Sequence, residues 1–260
     1  MAAQERSLII EGKNTQLFEG GTGSPLLYLH GAGMFWWMPV HDLLARSFHV
    51  YLPVHPGFGH SQGGEEIEVI EDLVFHYTAL LDALGIPKIS LIGLSLGGWI
   101  AAELALRRPD RIERVVLVDA AGLRVAGAPT AEFFMATPSQ LRGLLFVQPD
   151  SDLAQSLIPD VPPPERLEMA LRSREAAARL LWNPHFAQRK LRSRLHRIQA
   201  PTLVVWGQGD ELIPLAHGQA LAAGLPNARL VVLEGCAHLP PFEQPESFVA
   251  TVLPFLQGKA

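Results

Sequence analysis

Five residues, Gly93-Leu94-Ser95-Leu96-Gly97, follow the apolar run Ile89–Ile92 and open a helical pattern that extends from Leu96 to Arg108. Between a strand and a helix this spacing makes a turn so sharp that only small residues fit two positions either side of the serine, whose hydroxyl projects into the open. The start of the helix favours negative charge developing there. A serine hydroxyl is a weak nucleophile until an imidazole takes its proton and a carboxylate fixes that imidazole's tautomer. Covalent chemistry at Ser95 therefore needs a histidine and an acid brought in from elsewhere in the chain. A glycine-rich turn of any strand–helix unit is the alternative use of the same pentapeptide.

The elements that would position such groups are legible as short β-branched or apolar runs at Leu8–Ile10, Thr15–Phe18, Leu26–Leu29, His49–Val54, Ile89–Ile92, Val115–Val118, Leu203–Trp206 and Leu230–Leu233. The later runs are continuously apolar, as strands of a parallel sheet covered on both faces should be. They alternate with helical patterns, which predicts an α/β fold. The clearest helix spans Glu66 to Leu84, with Ile67, Ile70, Val74, Tyr77, Leu81 and Leu84 on one face and Gly85 and Pro87 as stop signals. Arg107 and Arg108 suit the negative end of the Leu96–Arg108 helix, and Leu215–Ala223 and Glu246–Leu256 read as two more. From 123 to 197 the alternation stops, and helical segments broken by proline take over. The longest runs from Glu165 to Trp182, behind Pro162-Pro163-Pro164. The expected organisation is a core of residues 1–122 and 198–260 and a helical lid of residues 123–197 inserted after the sixth strand.

Composition narrows the function classes. Of 260 residues, 48% are hydrophobic and 18% charged, against roughly 25% charged in an average globular protein, so the chain can bury a large core. The net charge of −5, with no long run of basic residues, argues against nucleic acid as a partner. Cys236 is the one cysteine, which excludes an intrachain disulfide and a cysteine-based zinc site. The first residues lack the apolar core of a secretory signal, so a cytoplasmic protein is expected. Gly20 to His41 holds no charged residue, yet its glycines, Pro25, Pro39 and His30 break it into short runs, so no membrane span is expected there. His49, His55 and His60 come without the carboxylate–histidine spacing of a metal site, and Gly57-Phe58-Gly59 lacks the third glycine of a dinucleotide fingerprint.

With Ser95 in this setting, the chain resembles the α/β-hydrolase superfamily over nearly its whole length, in the branch of lid-bearing serine esterases, lactonases and carbon–carbon bond hydrolases. That resemblance implies an eight-stranded, mostly parallel sheet with helices on both faces. It also implies the order serine, acid, histidine along the chain. Trp206-Gly207-Gln208-Gly209-Asp210 and Gly235-Cys236-Ala237-His238 resemble the acid and histidine loops, which makes Ser95 nucleophile, His238 base and Asp210 acid. Asp119, ending the sixth strand, is the rival acid. His30-Gly31-Ala32-Gly33 resembles the oxyanion loop, so the backbone N–H groups of Leu96 and Ala32 are the expected donors, with Gly33 and Met34 as alternatives for the second. His55-Pro56-Gly57-Phe58-Gly59-His60-Ser61 resembles the loop after the fourth strand, usually headed by Asp rather than His.

Candidate substrate-lining residues are His30, Gly33, Met34 and Trp36 around the oxyanion loop, Phe133, Phe134 and Trp182 in the insertion, and Leu239 beside His238. Packing is the competing role for every aromatic among them. A serine nucleophile argues against dehalogenase and epoxide hydrolase chemistry. The carbon–carbon hydrolases usually carry a tryptophan shortly after the catalytic histidine, where this chain has Leu239-Pro240-Pro241-Phe242. The expectation is therefore a cofactor-free hydrolase of a carboxylic ester or lactone, working through an acyl-enzyme. Carbon–carbon hydrolysis of ring-cleavage products, a cofactor-free perhydrolase and a slow-turnover ligand receptor remain as alternatives.

Overall fold

The computed structural model describes residues 3–259. Eight strands form one sheet: β1 (Gln4–Ile10), β2 (Lys13–Gly20), β3 (Ser24–Leu29), β4 (Phe48–Pro53), β5 (Ile89–Leu94), β6 (Ile112–Val118), β7 (Thr202–Gly207) and β8 (Ala228–Leu233). Their spatial order is β1-β2-β4-β3-β5-β6-β7-β8. β2 pairs antiparallel with β1 and β4, and every later pair is parallel. Each of the eight apolar runs marks one strand.

The continuously apolar runs β3, β5 and β7 are central and buried along nearly their whole length, so the sheet is covered on both faces. β8 departs from that pattern: it is the sheet's edge, and Val232 is 36% exposed.

The helices are α1 (Pro39–Ala45), α2 (Ile70–Ala83), α3 (Leu96–Arg107), α4 (Pro138–Leu145), α5 (Asp152–Leu157), α6 (Pro164–Leu181), α7 (Leu191–Arg194), α8 (Ala216–Gly224), α9 (Pro240–Glu243) and α10 (Pro245–Leu256). α3 packs on β5, β6 and α2, while α1 packs on α10. α2 begins four residues later than its apolar stripe suggests. Asp72 Oδ2 accepts the backbone N–H groups of Glu68 and Val69 at 2.9 and 3.0 Å, a cap that fixes the helix start at Ile70. No helix among the described residues is long and apolar enough to cross a membrane. The charge-free stretch instead comprises β3, the loop after it and the first turn of α1.

Helices α4 to α7 lie between β6 and β7 and are fastened to the rest of the chain by polar contacts. Arg172 Nη2 donates to Ser61 O at 3.4 Å, and Ser173 Oγ accepts the Gly59 N–H at 3.4 Å. Glu243 Oε2 accepts the Val147 N–H at 2.8 Å. Around the first pair of contacts the backbones interlock. Gly57 has φ +82°, and a Cβ there would stand 2.9 Å from Gly64 Cα and 3.0 Å from Ala176 Cβ of α6.

Candidate active site

Ser95 stands between β5 and α3 with φ +54° and ψ −113°, a conformation that costs a non-glycine residue energy and turns its side chain away from both elements. The flanking glycines are sterically required. A Cβ on Gly93 would fall 2.3 Å from Gly97 O, and one on Gly97 would fall 2.0 Å from Leu29 O of β3. The turn is therefore cut to let α3 start directly behind the sheet.

His238 follows β8 and is 2% exposed. Its Nδ1 lies 2.8 Å from Asp210 Oδ2, and the Asp210 side chain is completely buried. Asp210 Oδ1 accepts the N–H groups of Leu212 and Ile213 at 2.9 and 2.8 Å, so both carboxylate oxygens are used and the anion is held by donors. With Nδ1–H pointed at Asp210, His238 Nε2 is left as the basic nitrogen. Ser95 and His238 line the same cavity. Glu243, just behind the histidine loop, accepts the Ala237 N–H at 2.7 Å and so braces that loop; burial raises its carboxyl above the ordinary range.

Asp119 occupies the end of β6 with φ +42° and is fully buried. Its Oδ1 accepts the Gly207 N–H at 2.9 Å, while Oδ2 has no hydrogen-bond partner among the described residues. Burial, and then the neighbouring Asp210 charge, hold this carboxyl well above the usual carboxylate range. Asp119, Asp210 and His238 bring one potential metal-ligating atom each within 4.8 Å of one another. The donor set does not suit a cation. Nδ1 and Oδ2 face each other, Asp210 Oδ1 is occupied by two N–H groups, and Asp119 Oδ1 is taken by the Gly207 N–H. His49, His55 and His60 form no cluster either. His55 has both ring nitrogens engaged with Tyr77 and the His30 carbonyl, and His49 stacks on Tyr51.

The cavity above Ser95 has a volume of about 510 Å³, within the usual range for small-molecule sites. Gly33, Met34, Trp36, Phe133 and Leu239 line it, together with Leu141, Leu157 and Met169 of the inserted helices. Ala32 also lines it, and Leu96 contributes the first backbone N–H of α3, which has no acceptor inside the helix. Neither the Ala32 nor the Leu96 N–H has a protein partner among the described residues. Arg166 and Arg174 of α6 are among the residues that line the cavity, and Arg174 Nη2 donates to Phe134 O.

Three expected lining residues lie elsewhere. His30 is fully buried behind the loop and spends its ring on backbone groups. Phe134 is packed among Phe133, Phe186 and Trp182, with ring centroids 5.2 to 6.1 Å away, and is 7% exposed. Trp182 covers that cluster from outside and is 55% exposed. For these two aromatics packing is the role the structure supports.

The α/β-hydrolase fold family profile matches residues 24–245. The chain is similar to the 2-hydroxymuconate semialdehyde hydrolase of Pseudomonas sp. (strain CF600), 30% identical over 96% of this chain and 93% of that protein. It is also similar to the 2-hydroxy-6-oxo-6-phenylhexa-2,4-dienoate hydrolase of Burkholderia cepacia, 29% identical over 92% and 90%. The meta-cleavage product hydrolase of Pseudomonas fluorescens IP01 shares the fold with a TM-score of 0.78, at 23% identity over 98% of each chain. These relatives overturn the expectation of ester or lactone hydrolysis. The serine machinery is common to both chemistries, and one missing tryptophan after His238 was too slight a basis for choosing between them. By the family match and the end-to-end similarity, the chain belongs to the α/β-hydrolase family.

Proposed function

We propose that the protein is a serine-dependent carbon–carbon bond hydrolase of 2-hydroxy-6-oxo-dienoates, the class of compound made by ring cleavage of catechols. The observation that carries this reading is its similarity, over more than nine-tenths of the chain, to hydrolases of 2-hydroxymuconate semialdehyde and of 2-hydroxy-6-oxo-6-phenylhexa-2,4-dienoate. The character of the cavity supports it. An apolar chamber fits a conjugated carbon skeleton, and Arg166 with Arg174 offers a carboxylate partner at its wall.

The chemistry must make a carbon leave. In the dienol form of the substrate, C5 and C6 are joined in a conjugated system, and breaking that bond would strand an electron pair on C5. Moving the C2 hydroxyl proton to C5 makes the 2-oxo form, in which a C5 electron pair can be delocalised through the remaining double bond onto the C2 oxygen. Ser95 Oγ then attacks C6 while its proton passes to His238 Nε2, and Asp210 stabilises the imidazolium. The C6 oxygen takes up negative charge facing the Leu96 and Ala32 N–H groups. When the C6 carbonyl re-forms, the C5–C6 bond breaks, its electron pair flows into the dienolate, and the His238 imidazolium gives its proton to that anion, leaving an acyl group on Ser95 and a neutral His238. Water, deprotonated by His238, releases that acyl group as a carboxylic acid. The α4–α7 segment acts as the lid that keeps bulk water from the dienolate during these steps.

The test is incubation of the purified protein with 2-hydroxy-6-oxo-6-phenylhexa-2,4-dienoate. Loss of the long-wavelength absorption of the conjugated dienolate should accompany stoichiometric benzoate, and Ser95→Ala should abolish both. Wild-type protein that yields no benzoate would overturn the reading.

A further inference from the structure

Two buried histidines take no part in the chemistry above. His55 heads the loop after β4, at the position where the family resemblance leads one to expect aspartate, and its ring stacks on that of His30 with centroids 3.5 Å apart. Both are fully buried. Their partners determine where every proton sits. His55 Nε2 is 2.8 Å from His30 O, and a carbonyl can only accept, so Nε2 carries the hydrogen. His55 Nδ1 is then bare and accepts from the Tyr77 hydroxyl. The backbone N–H of His55 donates to His30 Nε2 at 2.9 Å, so that nitrogen is bare as well. His30 Nδ1 must therefore carry a hydrogen, which it donates to Gly31 O at 2.6 Å. Burial supports these neutral forms, pushing His30 down to about 3 and His55 well below its ordinary value.

The consequence falls on the peptide between Gly31 and Ala32. In a trans peptide the C=O and the following N–H point to opposite sides. His30 draws the Gly31 carbonyl toward the interior, which turns the Ala32 N–H to the side where Ala32 and Ser95 line the cavity. We infer that His55 and Tyr77 are positioning residues: through His30 they lock the peptide plane that aims the Ala32 N–H at the oxygen gaining charge over Ser95. Tyr77 O–H fixes the His55 tautomer, His55 Nε2–H holds the His30 carbonyl, and the His55 backbone N–H leaves His30 Nδ1–H for the Gly31 carbonyl.

The inference rests on the reading of Ser95 as nucleophile, and the test separates the two. Phenylboronic acid accepts the Ser95 Oγ electron pair at boron while the hydroxyl proton passes to His238, and the resulting anionic adduct probes the oxyanion donors without turnover. Tyr77→Phe and His55→Leu should weaken its binding, measured by calorimetry, at least about tenfold, less than the loss of a whole donor. Their kcat on the dienoate should fall in parallel, with KM within about twofold. His55→Gln, whose side-chain amide N–H reaches the place of imidazole Nε2–H, should restore boronate binding to within about threefold of wild type. Folded Tyr77→Phe protein that binds the boronate as wild type does, or a His55→Gln variant no better than His55→Leu, would overturn the inference. A wild-type protein that forms no Ser95 adduct would remove the reading of Ser95 beneath it, and the inference with it.

Discussion

Asp119 and Asp210 reach the same imidazole from the ends of the neighbouring strands β6 and β7, with an oxygen of each within 4.8 Å of the other and of a His238 nitrogen. Two carboxyls so close and so buried cannot both be ionised. Asp210 has three donors on its oxygens, whereas burial, and then the neighbouring Asp210, hold the Asp119 carboxyl well above the usual carboxylate range. Asp119→Asn should then leave kcat within about threefold of wild type, because an amide copies a neutral acid and keeps the acceptor for the Gly207 N–H. Asp210→Asn should lower kcat about 10³- to 10⁴-fold by spoiling the imidazole tautomer. Steady-state rates of the two single variants decide the matter, and equal losses would place charge on Asp119.

Ser95 combines the hydroxyl of the proposed nucleophile with an unfavourable backbone, φ +54°. Ser95→Ala should remove turnover and leave stability nearly unchanged. Ser95→Gly should remove turnover and raise stability by about 1 kcal/mol, since glycine adopts the same dihedrals freely. Urea midpoints of the two variants measure the difference, and an Ala variant as stable as the Gly variant would show that the turn carries no strain.

Gly97 at the start of α3 and Gly33 on the cavity wall should respond differently to an added methyl group. A Cβ at Gly97 would meet the Leu29 carbonyl at 2.0 Å, so Gly97→Ala must push α3 off β3 and should cost at least about 3 kcal/mol. A Cβ at Gly33 meets nothing within 4 Å, and Gly33→Ala should stay within about 0.5 kcal/mol of wild type. Chemical denaturation of both checks the contrast.

Four histidines, His30, His41, His55 and His76, are buried and pushed down by that burial: the first two to about 3, His76 to about 4, and His55 well below its ordinary value. The unfolded chain protonates them from about pH 6.5 downward and the folded chain does not, so the unfolded state binds more protons and stability falls with pH. Each contributes up to about 1.4 kcal/mol per pH unit between those limits. The raised carboxyls Asp119, Glu103 and Glu243 act with the opposite sign until the unfolded carboxyls are themselves protonated, near pH 4. Unfolding free energy should therefore decline below about pH 6.5 and most steeply below about pH 4.5. Denaturant titrations at pH 7.5, 6, 5 and 4 test this, and a flat profile would contradict the buried neutral histidines.

Much of the architecture could be read from residues alone because burial on both faces writes strands as unbroken apolar runs, and because Gly93 and Gly97 admit few uses around a serine. The start of α2 was harder, since Asp72 caps it from within the apolar stripe. Phe133 and Phe134 are neighbours with identical side chains, yet one faces the cavity and the other fills an aromatic cluster. Only the fold of the insertion separates them. His30 stands in a motif beside the cavity but works behind it, through bonds to His55 and Gly31 that join distant and adjacent backbone. Substrate class was the least legible, because a serine, a histidine and an aspartate in this order suit an ester carbonyl and a ketone alike.

The interlock between Gly57, Gly64 and Ala176, with the Arg172 to Ser61 bond spanning 111 positions, makes the seating of the inserted helices a two-piece inheritance. Helices α4 to α7 exchanged from a relative would arrive with side chains shaped to a different partner loop. A chimera is expected to keep its packing only when residues 55–65 are transplanted with them, because that loop interlocks with α6.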